Sequence, residues 1–98
     1  MEIIKNLSAE GILNVALKGR LDTLTSQELL SNLVEIDQAK VVEFDFKDLE
    51  YISSAGLRAM LSYQKKLGGK EYVKIHNMNP IIANVFKVTG FQSLVTIC

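Results

Sequence analysis

The sequence predicts an α/β fold in the order β-β-α-β-α-β-α-β, a mixed β-sheet with helices mainly on one face. Three observations lead there. In VVEFDF, Val42, Phe44 and Phe46 alternate with Glu43 and Asp45, so one face of a strand is apolar and the other mixed. Apolar stripes at helical spacing come before and after that strand, with glycine and proline between them. Two short apolar runs, 3–7 and 12–17, flank Ser8-Ala9-Glu10-Gly11, the spacing of a β-hairpin with a glycine-containing loop. A parallel strand covered on both faces is usually apolar throughout, so the alternation in VVEFDF limits the helices mainly to one side.

After the hairpin, Gly19 and Asp22 interrupt the strand pattern, and Leu29, Leu30, Leu33 and Val34 then predict a helix from Thr25 to Ile36. VVEFDF is the third strand. Leu57, Met60, Leu61 and Leu67 form the buried stripe of a second helix, Ser54 to Leu67, stopped by Gly68-Gly69. EYVKIH is a short alternating strand. Pro80 suits the first turn of a helix carrying Ile82, Val85 and Phe86, Gly90 ends it, and LVTI is the last strand. Alternating strands and helices imply right-handed crossovers between parallel neighbours, to which the hairpin adds an antiparallel pair.

A chain of 98 residues suits one hydrophobic core, so residues 1–98 are expected to form a single domain. The composition, 48% apolar and 22% charged, is that of a globular protein. Eleven basic and eleven acidic residues leave no net charge to attract nucleic acid or an anionic membrane, and neither is expected as a direct partner. The opening MEIIKNLSAEGILNV lacks a signal-peptide pattern and no run approaches about 18 apolar residues, so a cytoplasmic location is expected.

Catalytic constellations are weak. The single cysteine, Cys98, excludes an internal disulfide and a multi-cysteine metal site, and the lone His76 with dispersed carboxylates has no ligand spacing. A hydrolase would use Ser54 with His76 as base, but Ile52 stands where the nucleophile elbow wants glycine. Gly68-Gly69 belongs to neither phosphate-binding glycine pattern. No catalytic residue, cofactor or metal is expected.

The informative stretch is FDFKDLEYISSAGLRAML, in which a strand leads through acidic residues to a serine pair opening a helix, followed by small Ala55 and Gly56. A serine at a helix start caps unpaired backbone N–H groups, and the same groups favour an anion. By itself the run reads as a plain cap with small residues for close packing, and only the match of the whole chain overturns that. The whole arrangement resembles the STAS domain of anti-sigma factor antagonists. The Ser53-Ser54-Ala55-Gly56-Leu57 run corresponds to that family's turn, and the opening hairpin, the Gly19-Arg20-Leu21-Asp22 turn and Thr89-Gly90-Phe91 are placed as in its members.

The resemblance implies a protein whose unphosphorylated form binds an anti-sigma factor that is also a serine kinase, releasing the sigma factor. Phosphorylation at Ser54, two places before the glycine, then blocks binding, and a serine phosphatase would reverse it. Ser53 stands where many members have aspartate, which makes it either an alternative acceptor or the helix cap. The alternative function is a STAS interaction module of another signalling complex without its own phosphoswitch. The residues expected at the partner surface are Asp22, Ser53, Ser54, Ala55, Gly56 and Arg58. Asp22 is either the family's acidic neighbour of the turn or a local cap, with Asp48 a second source of acidity. Arg58 and Lys65 or Lys66 are either a charged rim or solvated helix charges.

Overall fold

The computed structural model describes residues 1–98. Its strands are β1 (Glu2–Leu7), β2 (Ile12–Leu21), β3 (Val41–Ile52), β4 (Val73–His76) and β5 (Thr96–Ile97), and its helices are α1 (Thr23–Asn32), α2 (Ser54–Leu67) and α3 (Pro80–Thr89). Short 3-10 turns occupy Val34–Gln38, Lys70–Tyr72 and Phe91–Ser93.

The five strands form one sheet in chain order, β1 antiparallel to β2 and each later neighbour parallel. Because that order never reverses, right-handed crossovers carry all three helices to the same side. The alternation in β2 to β4 records this. Leu13, Val15 and Leu17, then Val42, Phe44 and Phe46, then Val73 and Ile75 are buried toward the helices. Asn14, Glu43, Asp45, Lys74 and His76 occupy the other face, where Glu43 Oε1 pairs with His76 Nε2 at 2.7 Å.

Aromatic rings join the layers. Phe44 packs on Tyr63 of α2 with ring centroids 5.6 Å apart, and Phe46 meets Phe86 of α3 edge-on at 6.5 Å. Each fully buried Phe or Leu contributes about 1.5–3 kcal/mol, so these contacts hold α2 and α3 at fixed positions over the sheet. Helix ends are chemically marked. Asn79 caps α3 through Ile82 N–H with Pro80 in the first turn, and Gly68 and Gly90 end α2 and α3 in the left-handed conformation at φ 97° and 78°.

Several boundaries differ from expectation. The first helix starts at Thr23 rather than Thr25 and ends at Asn32, with Ile36 in the 3-10 turn that follows. Its inward residues are Ser26, Leu29 and Leu33, whereas Leu30 and Val34 are exposed, because an apolar pair at adjacent positions cannot both face the sheet. Gly19 does not end β2. At φ 108° it sits where the β2–β3 register slips, and the strand continues through Arg20 and Leu21. The third strand runs on to Ile52, burying Leu49 and Ile52 beyond VVEFDF. Of EYVKIH only 73–76 is strand, and β5 is two residues long.

Candidate functional site

The C-terminal ends of β2 and β3 lie side by side, with Leu21 opposite Ile52 and Arg20 opposite Tyr51. Both strands feed directly into helices, so the starts of α1 and α2 emerge together at one edge of the sheet. Open α/β sheets present their strand ends and helix N-termini at this edge, where unpaired backbone N–H groups collect.

Ser53 is the N-cap of α2. Its Oγ accepts a long bond from Gly56 N–H at 3.4 Å, and its carbonyl accepts from Leu57 N–H at 3.0 Å. Ser54, the first residue of the helix, is exposed and its hydroxyl makes no hydrogen bond within the chain. Ala55 is half-buried, and Gly56 is buried against Ile52 and Leu21. The two serines are therefore inequivalent: one hydroxyl is committed to the backbone and the other is free in solvent.

Asp22 caps α1. Its Oδ1 accepts from Thr25 N–H and from the Thr25 hydroxyl, each at 3.0 Å, while Asp22 N–H donates to Thr25 Oγ1 at 2.8 Å. These bonds, the backbone one first, hold its carboxyl below the usual 3.8. The cap thus places a fixed negative charge on the turn neighbouring Ser53 and Ser54. Asp48 is an exposed strand residue opposite Lys18 and lies outside both turns.

Two features of this edge were not legible in the chain. The Arg20 guanidinium lies 4.2 Å over the Tyr51 ring, a stacking that the parallel register creates from residues two places before Asp22 and Ser53. A groove of about 240 Å³ runs between α1 and α2, lined by Ser26, Leu30, Ala55, Arg58, Ala59 and Ser62 among others. Arg58 is exposed on α2 beside Ala55, whereas Lys65 and Lys66 lie in the last turn, where Lys66 pairs with Asp37. A larger cleft of about 390 Å³ lies on the open sheet face, where His76 is held by Glu43. His76 thus has a partner of its own, on the face that α2 does not cover. No helix is long and apolar enough to cross a membrane.

The chain and its fold resemble known proteins. Residues 7–96 match the family described as "Mlab, STAS domain". The chain is 31% identical over 88 residues to the putative anti-sigma factor antagonist BtrV of Bordetella bronchiseptica, covering 87% of this chain and 76% of that one. Among solved structures, the phosphorylated form of the Bacillus cell fate determinant SpoIIAA superimposes with a TM-score of 0.74 at 16% identity, covering 99% and 91% of the two chains. An anti-sigma factor antagonist from Mycobacterium paratuberculosis gives 0.77 at 17% identity, covering 98% and 83%. The family match spans nearly every element described above, including the paired turns at the sheet edge, and the chain belongs to the STAS-domain family.

Proposed function

We propose that residues 1–98 act as one cytosolic module, an anti-sigma factor antagonist without catalysis of its own, that is switched by phosphorylation of Ser54. Unphosphorylated, it binds an anti-sigma factor that is also a serine kinase, through Asp22, Ser53, Ser54, Ala55 and Arg58, with buried Gly56 shaping the turn beneath them rather than touching the partner, and so frees the sigma factor. The kinase transfers the γ-phosphoryl group of ATP to Ser54 Oγ, the hydroxyl proton is lost, and ADP leaves. A serine phosphatase restores the binding form.

The observation that carries this reading is the free, exposed hydroxyl of Ser54 on the first residue of α2, in a family motif and beside a second turn capped by Asp22. A helix N-terminus tolerates a phosphate, so about −1.5 to −2 charges can be added with the fold intact. Their effect falls on whatever binds this edge. Ser53 is the weaker acceptor because its Oγ caps the helix. Further support comes from the name of the Bordetella bronchiseptica relative.

The test is intact mass and phosphopeptide mapping after incubation with ATP and each anti-sigma-type serine kinase of the same genome, for the wild type, Ser54→Ala and Ser53→Ala. One phosphate, lost only in Ser54→Ala, is expected. A kinase that binds the protein and leaves it unmodified would instead make it an interaction module without a phosphoswitch.

A further inference from the structure

Ser54 and Arg58 are four residues apart on α2 and both are exposed. Side chains at i and i+4 of a helix are neighbours, their Cβ atoms roughly 5–6 Å apart. Arg58 carries a planar fork of donors, yet the fold gives it nothing to hold. The ion pairs of the molecule are Lys5–Glu35, Lys66–Asp37 and His76–Glu43, and no side chain or carbonyl accepts a bond from the Arg58 guanidinium. Of the residues that line the α1–α2 groove, Arg58 alone is charged.

The groove has a second unmet group. Ser26 lines it, is 3% exposed, and its Oγ has no hydrogen-bond partner. An unpaired buried hydroxyl is destabilising, and a bound segment offering a donor or acceptor would relieve it. Small Ala55 and Ala59 leave room for such a segment, and the half-exposed Leu30 gives it an apolar wall. An uncompensated cation, an unpaired hydroxyl and apolar walls are together complementary to an apolar stretch of protein that carries a carboxylate.

We propose that Arg58 holds a carboxylate of the partner protein, on a segment seated between α1 and α2, and that a phosphate on Ser54 takes the same guanidinium away. This rests on the reading of Ser54 as the phosphate acceptor. An arginine–phosphate pair is a strong charge-assisted contact, and an acceptor four residues away on the same helix meets Arg58 at high effective concentration. Phosphorylation then removes the partner's anchor in addition to placing charge and bulk at the interface. Loss of Arg58 and gain of the phosphate are therefore non-additive: a protein lacking Arg58 has less binding left for the phosphate to abolish.

The experiment has two arms. Phosphoserine is incorporated at position 54 during translation, so that no kinase is needed, and its phosphorus resonance is titrated in the otherwise wild-type protein and in Arg58→Gln and Arg58→Lys. The second ionisation of the phosphate is expected lower by about half a pH unit when Arg58 is present, with Arg58→Lys between the two. Titrations agreeing within about 0.1 pH unit would overturn the capture. In the second arm, unphosphorylated proteins are titrated with each purified anti-sigma-type kinase of the same genome. Arg58→Gln should weaken binding about tenfold with an unchanged melting temperature, and Ser26→Ala should weaken it a few-fold with a melting temperature unchanged or raised, since it deletes an unpaired hydroxyl. Equal affinities, or a groove filled by a second copy of this chain and seen as a dimer lost in Arg58→Gln, would overturn the carboxylate partner. If no kinase modifies Ser54, the phosphoswitch fails while the phosphorus titration still decides whether Arg58 captures an anion there.

Discussion

Ser53 donates its backbone N–H to the carbonyl of Leu21 at 2.9 Å, so the start of α2 is hydrogen-bonded to the last residue of β2. The same carbonyl lies 3.0 Å from where a Cβ on Gly56 would stand. One backbone oxygen therefore helps set both how near the two turns come and which residue can stand two places after Ser54.

Gly56→Ala should lower stability by about 1–3 kcal/mol, because the added methyl would meet Ile52 Cγ1 at 2.6 Å and Leu21 Cγ at 3.0 Å in a packed core. Chemical denaturation measures this. A variant as stable as the wild type would mean that Ile52 and Leu21 give way freely, and that the close approach is not what glycine provides.

The two caps should differ in weight. The Ser53 bond to Gly56 is long, so Ser53→Ala should cost about 0.5 kcal/mol, near the low end for an N-cap. Asp22→Ala breaks a reciprocal capping box with Thr25 and should cost more. Parallel urea titrations decide the order, and a larger loss from Ser53→Ala would contradict the geometry.

Acid should destabilise the fold. Hydrogen bonds from Thr25 hold Asp22 below its usual 3.8, and Lys5 holds Glu35 below 4.5. Asn77, and then the Lys47 backbone, hold Asp45 below 3.8. Each carboxylate is favoured more in the folded than in the unfolded chain. Its contribution is thus complete above the usual value and is lost as pH falls through the folded one. Melting temperature should hold steady near pH 6 and fall as the pH drops below about 4.5. Asp45→Asn should flatten that fall, and an unaltered slope would remove Asp45 as a contributor.

Tyr63→Phe should be neutral or stabilising by up to about 1 kcal/mol. The Tyr63 ring packs on Phe44, its hydroxyl is buried without a hydrogen-bond partner, and burial pushes its ionisation upward. Removing it keeps the ring contact and deletes an unsatisfied group. A clear loss of stability would show that the hydroxyl is held by a bound water.

Reading the chain alone located α2 to the residue, since Ser53 at its start, the Leu57 and Met60 stripe and the Gly68 end are all local signals. It placed α1 poorly. Leu29, Leu30, Leu33 and Val34 offer two overlapping stripes, and only the sheet beneath selects Ser26, Leu29 and Leu33. Asp22 was open between a local cap and an acidic neighbour of the serine turn; it is a cap, and the strand pairing also brings it to that edge. Ser26 could not have been singled out, because a lone serine in an amphipathic helix has no signature of burial.

What the sequence determined by itself is what neighbours along the chain decide: the order of elements, the apolar face of β3, the helix caps and the serine turn at a strand–helix junction. These follow from side-chain periodicity and from the local need to pair backbone groups. Tertiary structure decided which strand ends meet. The parallel pairing of β2 with β3 brings Leu21 to Ser53 and Arg20 to Tyr51, and packing of α1 against α2 forms the groove that holds Ser26 and Arg58. Register between distant strands depends on how the whole apolar face is buried at once, and no window of the chain contains that information.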